Sequence, residues 1–164
     1  MATSSRAPTS GTMSVMPWEL GAGVVELPDG VRLRGRSLRD GPGPGPEPDF
    51  GLYLPTRRPV DTPWRSRWIR WPDFWRPIDA AAAHSAFEEA YRLAAQGARV
   101  EVACRGGVGR TGTALACISQ FDGVTASEAT AWVRARYNRL AVETPWQRLY
   151  VRRFSARSDD AQRD

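Results

Sequence analysis

The sequence predicts a single α/β domain with a central, largely parallel sheet, flanking helices and an N-terminal β-hairpin. From residue 50 onward, strand-like apolar runs alternate with helix-like runs, which favours parallel strands joined by helical crossovers. Residues 24–27 and 31–36 are two strand-like segments separated by a Pro-Asp-Gly turn, a pattern typical of a hairpin. A glycine-rich run then joins the strand-like residues 99–103 to a helix-forming stretch, and parallel sheets bind ligands at such strand ends.

The other elements can be assigned in chain order. The Gly-Pro repeat at residues 41–46 must be a loop, because neither a helix nor a sheet ladder accepts it. Residues 50–54 and 68–71 are rich in aromatic and aliphatic side chains and predict two buried strands. The remaining predictions are an Ala-rich helix over 78–96, a central strand over 99–103, a helix over 111–121, a helix from the capping box Thr125–Glu128 to Tyr137, and a last helix from Pro145.

Length and composition define the rest of the organisation. The composition predicts a disordered tail over residues 1–16 and a polar tail over residues 157–164. Residues 17–156 between them are long enough to form one folded domain with an ordinary core. All 23 basic residues are Arg, and the formal net charge of +5 suits anionic substrates. The arginines are dispersed, so we expect no nucleic-acid partner. No run reaches transmembrane length, so we expect no stable membrane insertion, and a monomer is the default oligomeric state.

The most informative segment is the run Cys-Arg-Gly-Gly-Val-Gly-Arg-Thr-Gly at residues 104–112. A strand that enters a tight glycine-rich loop and leaves as a helix directs free backbone N–H groups inward, which makes a cradle for a tetrahedral oxyanion. Arg110 adds a planar guanidinium that can hold two phosphate oxygens. The positive helix end and Arg110 should also favour the thiolate of Cys104 over the thiol. These residues predict a phosphate site that contains a nucleophile.

This run resembles the phosphate loop of the cysteine-dependent protein tyrosine phosphatases. The resemblance implies the fold of that family, with Cys104 as the nucleophile that forms a thiophosphate and Arg110 as the ligand of the equatorial oxygens. Thr111 would stabilise the departing thiolate. The backbone of the intervening loop would bind the phosphate, through Arg105, Gly106, Gly107, Val108 and Gly109. The short chain is nearer to the small dual-specificity or atypical branch, and its Lys-free composition is typical of a GC-rich genome, which we expect to be bacterial.

A general acid is expected upstream of the loop. Trp71-Pro72-Asp73 resembles the mobile Trp-Pro-Asp loop of the same family, in which the aspartate protonates the leaving oxygen. Asp73 precedes Cys104 by 31 positions, which leaves room for one helix and one strand. Asp61 and Asp79 are the alternative acids.

Two further positions bear on the chemistry. Gln147, in the run Glu-Thr-Pro-Trp-Gln, resembles the family's late glutamine that positions the hydrolytic water, although Thr144 and Pro145 also suffice to start a helix without any functional role. Ala103 departs from the family, which usually has a His before the nucleophile that helps to favour the thiolate. The only histidine, His84, lies in the Ala-rich helix and is expected at a solvated or half-buried surface position.

The sequence therefore predicts a phosphomonoester hydrolase that acts on phosphorylated proteins or peptides, with phosphotyrosine preferred. We expect no metal and no organic cofactor, because backbone amides and Arg110 meet the phosphate charge. The second cysteine, Cys117, is expected to pack in the core, and a reducing, cytoplasmic location would keep Cys104 active. Two alternatives stay open: a phosphoinositide or inositol phosphate phosphatase, indicated by Arg105, and a catalytically weak phospho-binding module, indicated by Ala103.

Overall fold

The structure, a computed structural model, describes residues 16–156 as one α/β domain, which confirms the predicted fold class. The predicted tail over 1–16 lies outside the described residues except for Met16, and the predicted tail over 157–164 lies wholly outside them. Within residues 16–156, no helix combines the length and the apolar character that crossing a bilayer would require.

The sheet has five strands in the order β1-β2-β5-β3-β4. Strands β1 and β2 pair antiparallel as the predicted hairpin, and the other described pairs are parallel. The strands are β1 (Val24–Glu26), β2 (Arg32–Ser37), β3 (Phe50–Tyr53), β4 (Arg65–Trp68) and β5 (Val100–Cys104). Because β5 lies between β2 and β3, its carboxyl end opens at the centre of the parallel part of the sheet, which is where this class of sheet binds ligands.

The helices of the described chain are α1 (Ala80–Ala95), α2 (Gly109–Ser119), α3 (Ala129–Arg136) and α4 (Pro145–Arg153). Helices α1 and α4 begin at side-chain caps. The carboxylate of Asp79 accepts a hydrogen bond from the amide of Ala82 at the start of α1. The hydroxyl of Thr144 does the same for Gln147 at the start of α4, which confirms the predicted cap. The cap and Pro145 fix the start of α4, and the hydroxyl of Thr144 ties it to the carbonyl of Phe74.

The two faces of β5 have different surroundings. Val100, Val102 and Cys104 belong to the hydrophobic core together with residues of α1 and α2. Glu101 points to the opposite face, because successive strand residues alternate between faces, and it too is buried, at 1% exposure. Every residue of β5 is buried, as expected for the central strand of a parallel sheet.

The opposite face is closed by an ion-pair network. The Glu101 carboxylate accepts hydrogen bonds from Arg34 at 3.3 Å, Arg36 at 2.8 Å and the hydroxyl of Tyr53 at 3.1 Å. Arg34 also donates to the carbonyl of Pro44, so the predicted Gly-Pro loop packs over this face through its backbone. Burial and the Glu101 charge raise the pKa of Tyr53 to about 12.

The prediction of a buried strand over 68–71 was wrong. The strand is β4, Arg65–Trp68, and it lies at the edge of the sheet with mostly exposed side chains. An edge strand needs no continuous apolar run, so the polar residues 65–67 can form it. The apolar residues that suggested the strand, Ile69 and Trp71, are buried in the core after the chain has left the sheet.

Two helix starts also differ from the prediction. Helix α2 begins at Gly109, two residues before the predicted start at Thr111. The capping box at Thr125 does not form: helix α3 begins at Ala129, and the Thr125 hydroxyl donates to the carboxylate of Glu128 instead of accepting from a backbone amide. Residues 125–128 form a turn in which the carbonyl of Thr125 accepts from the amides of Glu128 and Ala129, so the backbone supplies the cap that the side chain was expected to supply.

Candidate active site

Cys104 ends β5 and lies at the bottom of the glycine-rich loop. The side chain is buried, and its sulfur Sγ accepts a hydrogen bond from the amide of Gly107 at 3.2 Å. Gly107 has a φ of +72°, and a Cβ at this position would lie 2.6 Å from the backbone nitrogen of Ser37. Only glycine fits there, because a larger residue would suffer both the left-handed backbone and the clash with β2.

The first turn of α2 completes the loop. Its N-terminal amides have no carbonyl within the helix to bind, as in every α-helix, and Val108 provides no side-chain cap. A Cβ on Gly109 would lie 2.8 Å from the carboxyl carbon of Glu143, so glycine here allows a carboxylate to approach the loop. The hydroxyl oxygen Oγ1 of Thr111 is fully buried without a partner in residues 16–156. This turn therefore concentrates uncommitted donors next to Cys104.

Arg110 is buried and held at one end of its guanidinium group. Its Nη1 donates to the carbonyl of Trp71 at 2.9 Å, with longer contacts to the carbonyl of Leu54 and the hydroxyl of Thr56. Its Nε has no hydrogen-bond partner in the described chain, and lies 3.6 Å from Oδ1 of Asp73. The contacts at Nη1 fix the orientation of the side chain and leave another edge of the fork available to an oxyanion.

Asp73 lies on the loop that follows Trp71 and is half exposed, with 55% of its side chain accessible. The next residue, Phe74, has a φ of +60°, an uncommon conformation outside glycine. The loop is tied at two points: the indole of Trp71 donates to the carbonyl of Trp75 at 2.7 Å, and the hydroxyl of Thr144 donates to the carbonyl of Phe74 at 3.0 Å. The loop thus carries Asp73 to the guanidinium of Arg110, where the family resemblance placed an acid.

Gln147 lies deeper than the other candidate residues. It is fully buried, its Oε1 accepts from the amide of Glu143 at 2.9 Å, and its Nε2 has no partner among residues 16–156. The side chain that reaches the loop from this segment is Glu143, above Gly109. Burial raises the pKa of Glu143 and the charge of Asp73 raises it further, while Arg110 opposes both effects. The water-positioning role of Gln147 stays a prediction.

Sequence reasoning missed Glu143 and Tyr137. The hydroxyl of Tyr137 donates to the carbonyl of Gly107, and its ring fills the space beside Gly35, where a Cβ would lie 2.5 Å from it. Burial and the negative charge of the Cys104 thiolate raise the pKa of Tyr137. The N-cap pattern at Thr144 could have indicated Glu143, because Glu143 directly precedes the cap and is positioned by the same helix start. No local signal marks Tyr137, which reaches the loop from 30 positions away.

Ala103, which stands where the family usually has a histidine, and His84, the only histidine of the sequence, are both buried. Ala103 is fully buried in β5 and its carbonyl accepts from the amide of Leu54 at 2.9 Å. His84 is 8% exposed, so the expectation of a surface position was wrong: its ring stacks on Phe154 and its Nε2 lies 2.7 Å from the carbonyl of Ser155. The rings of Phe121 and Phe154 pack against this histidine and bury it on α1, away from the loop. Cys117 is buried and free, in agreement with a packing role, and burial raises the pKa of its thiol.

The remaining predicted loop residues are accessible to solvent to different degrees. Arg105 and Gly106 are exposed, and Val108 is half buried. The alternative acids lie elsewhere: Asp79 caps α1, and Asp61 lines the cleft described next. Thus Cys104, Thr111 and the backbone of the loop form one cradle, with Arg110 and Asp73 at its rim.

An open cleft of about 900 Å³ borders the rim of this cradle. It is bounded by Asp73, Arg105 and Arg110 on the loop side, and by parts of residues 36–42 and 53–64 on the other. A second cavity of about 570 Å³ lies behind the Asp73 loop, between Trp75 and α4, and includes none of the cradle residues. The larger cleft is therefore the one that adjoins the candidate residues, and Cys104 is not among the residues that line it.

Comparison with known proteins supports the fold. No family model and no curated protein matches the sequence. Among solved structures, the active form of Tk-PTP is similar, with a TM-score of 0.51 and 24% identity over 63% of this chain and 76% of the Tk-PTP chain. A glycine-to-alanine mutant form of Tk-PTP has a TM-score of 0.50 and 22% identity over 63% of this chain and 75% of that one. The chain therefore has a protein tyrosine phosphatase-like fold, as predicted.

Proposed function

We propose that this protein is a cysteine-dependent phosphomonoester hydrolase, most closely a protein tyrosine phosphatase of the small dual-specificity-like branch. One observation carries the proposal: a buried cysteine lies beneath buried donors that have no partner within residues 16–156, Nε of Arg110 and Oγ1 of Thr111. A buried donor without a partner costs about 1–3 kcal/mol. A bound phosphate group would accept from these donors and from the loop amides, which explains why such a costly arrangement exists.

In the proposed first step the Cys104 thiolate attacks phosphorus and the bond from phosphorus to the leaving oxygen breaks. Asp73 in its protonated form gives its proton to that oxygen, which leaves as a phenol or alcohol. Arg110 and the amides of the loop hold the three other phosphoryl oxygens. The product of this step is a cysteinyl-phosphate.

In the second step water attacks the same phosphorus and the bond from phosphorus to sulfur breaks. The water proton passes to the Asp73 carboxylate, inorganic phosphate is released, and Thr111 donates to the departing thiolate. We propose that Gln147 and Glu143 position this water together. Gln147 holds the backbone of Glu143, and Glu143 presents its carboxylate above Gly109. Charge is met throughout by protein groups, so no metal or organic cofactor is required.

The proposed substrate is a phosphorylated protein or peptide, with phosphotyrosine preferred. The cleft is lined by Trp64 and several prolines in addition to charged groups, a surface suited to an aromatic ring and its neighbours. A reducing compartment, the cytoplasm in our proposal, would protect the Cys104 thiol from oxidation. Phosphoinositides and inositol phosphates are the second candidate substrates, supported by the exposed Arg105 beside the nucleophile.

A weak phospho-binding module is the third candidate, supported by Ala103, which supplies no imidazole to the thiol. Hydrolysis of para-nitrophenyl phosphate by the reduced protein, in a chelating buffer, separates it from an enzyme. We expect turnover in the wild type and in Cys117→Ser, and none in Cys104→Ser. No turnover in the fully reduced wild type, with phosphate still bound, would overturn the enzymatic proposal in favour of a binding role.

The proton donor has its own test. Asp73→Asn keeps the shape of the side chain but removes the proton, so we expect kcat to fall by about 10²-fold with an alkoxide leaving group. Para-nitrophenolate needs little protonation, so the loss should be smaller with para-nitrophenyl phosphate. Asp61→Asn, on the far side of the cleft, is the matched control. Equal losses with both leaving groups would exclude Asp73 as the acid.

A further inference from the structure

Four arginines border the cleft without a bonding partner. Arg39, Arg57, Arg58 and Arg105 are exposed residues of the cleft lining, and within residues 16–156 their guanidinium groups form no ion pair or hydrogen bond. We call these four residues the arginine wall. On the edge strand β4, in contrast, Arg65 and Arg67 do have an ion-pair partner, the carboxylate of Glu89. The wall faces one carboxylate besides Asp73, that of Asp61.

The backbone beneath the wall is fixed relative to the phosphate cradle. The carbonyl of Arg105 accepts from the amide of Arg39 at 3.2 Å and from the hydroxyl of Ser37 at 2.7 Å. On the other side, Thr56 precedes Arg57, and its hydroxyl accepts from Nη1 of Arg110 at 3.3 Å. Both halves of the wall are therefore tied to the residues that would hold the phosphate. A second anionic group on a substrate would therefore meet cations on backbone that is anchored to the phosphate cradle.

The rest of the lining indicates which kind of substrate fits. Between the arginines lie four prolines, Val60 and Trp64, with Val60 90% exposed; the prolines are Pro42, Pro55, Pro59 and Pro63. An inositol polyphosphate has no apolar part that would cover these residues. A peptide supplies both apolar contacts and carboxylates, so the mixed wall is complementary to an acidic peptide.

We propose that the arginine wall binds acidic side chains that flank the phosphotyrosine of a protein substrate. This proposal rests on the proposed function and assigns it a sequence preference. Opposite charges at an open cleft contribute modestly, so several exposed pairs together give a preference of roughly tenfold. Added salt should weaken that preference, because exposed charge pairs are screened.

The test compares two phosphotyrosine peptides that differ only in Glu or Gln at the flanking positions. The wild type should have a kcat/KM roughly tenfold higher for the Glu peptide, mainly through KM. Replacing both Arg57 and Arg58 by Ala removes half of the wall, so it should lower the preference to about threefold and leave hydrolysis of para-nitrophenyl phosphate unchanged. Replacing Arg92 and Arg152 by Ala makes the same change in net charge. These two exposed arginines lie outside the cleft lining, so this control variant should keep the preference.

Binding separates a failure of this proposal from a failure of the proposed function. The Cys104→Ser protein should bind the Glu peptide more tightly than the Gln peptide by fluorescence anisotropy, whether or not the wild type turns over. Equal binding of the two peptides, or a preference that loss of Arg57 and Arg58 leaves undiminished, would overturn the proposal. If that double variant loses hydrolysis of short-chain phosphatidylinositol bisphosphate while the peptides stay equivalent, the wall serves a lipid headgroup instead.

Discussion

Two clusters that each contain a buried arginine lie next to strand β5, one on a face of the sheet and one at the strand's carboxyl end. They differ in how their hydrogen bonds are satisfied. The closed cluster contains Arg34, Arg36, Glu101 and Tyr53 on one face of the sheet. The open cluster contains Cys104, Arg110, Thr111 and Asp73 at the carboxyl end of the same strand. Both bury a guanidinium group to 5% exposure or less, so burial alone does not distinguish them.

In the closed cluster the protein itself supplies the partners. Glu101 accepts hydrogen bonds from both arginines and from Tyr53. The loop carbonyls accept further ones, Pro44 from Arg34 and Gly41 from Arg36. The one unpaired atom there, among the described residues, is Nε of Arg34, whose guanidinium stacks on the Trp18 ring at 3.8 Å. Such a network is typical of a structural role, because nearly all of its donors and acceptors have partners within the fold.

In the open cluster the nearest carboxylate to Arg110 is half exposed and 3.6 Å away, beyond hydrogen-bond distance. The hydroxyl of Thr111 and Nε of Arg110 remain without partners in the described part of the chain. A fold tolerates such groups where a ligand completes them. The contrast therefore supports the proposal that the end of β5 binds an anionic ligand.

The largest expected effect comes from exchanging matched arginines for lysine. Arg110→Lys loses the planar fork, and kcat/KM for para-nitrophenyl phosphate should fall by about 10³-fold with the fold intact. Arg34→Lys, in the closed cluster and outside the cleft lining, should leave kcat/KM unchanged and lower the midpoint of thermal unfolding. Comparable losses of activity in both variants would remove the distinction between the clusters.

Neutralising the closed cluster is the next largest change. Glu101→Gln leaves the buried guanidinium group of Arg34 and the partly buried one of Arg36 without their anion, so the free energy of unfolding should drop by about 3 kcal/mol. The pKa of Tyr53, raised to about 12 partly by Glu101, should decrease at the same time. Urea unfolding and ultraviolet titration of tyrosine measure the two effects. An unchanged unfolding curve would show that the network contributes no net stability.

Thr111→Val tests the unpaired hydroxyl directly. Removing a buried oxygen that has no partner should leave stability unchanged or raise it by about 1 kcal/mol. The same change removes a donor to the departing thiolate, so kcat should fall by roughly tenfold. Thr113→Val is the control, because its hydroxyl donates to the carbonyl of Gly109 at 2.7 Å and its loss should destabilise the protein. If Thr111→Val destabilises just as much, the hydroxyl has a structural partner.

The smallest effect concerns Glu143 and pH. Its pKa in the folded protein lies above the ordinary value of 4.5, so the folded state holds this proton more tightly than the unfolded state. Stability attributable to this group is therefore present at lower pH and is lost as the pH rises above 4.5. Glu143→Gln should flatten this part of the stability profile measured by urea unfolding. A wild-type profile that rises with pH relative to Glu143→Gln would contradict the direction.

Local sequence patterns predicted those parts of the molecule that depend on neighbouring residues. The hairpin around Gly30, the strand before Cys104 and the cap at Thr144 each need only a few adjacent positions. Strand β4 was misplaced because an edge strand carries little apolar pattern, while Ile69 and Trp71 are apolar for reasons of core packing.

The site was predictable to the same extent. The spacing of Cys104 and Arg110 lies within one loop and could be recognised directly. Glu143 and Tyr137 approach that loop from other elements, through contacts with Gly109 and Gly107 that only the folded chain creates. The closed cluster could not be anticipated either, because the apolar neighbours of Glu101 in sequence give no indication of the arginines that β2 brings to it.

The central claim is that the open cluster holds a phosphoryl group on Cys104. Rapid mixing with a phosphotyrosine peptide, a denaturing quench in mildly alkaline buffer and mass spectrometry of the protease digest test it most directly. We expect a phosphoryl adduct on the peptide that contains Cys104, and no adduct on the peptide of Cys104→Ser. Turnover without an adduct, or an adduct on another residue, would contradict the account.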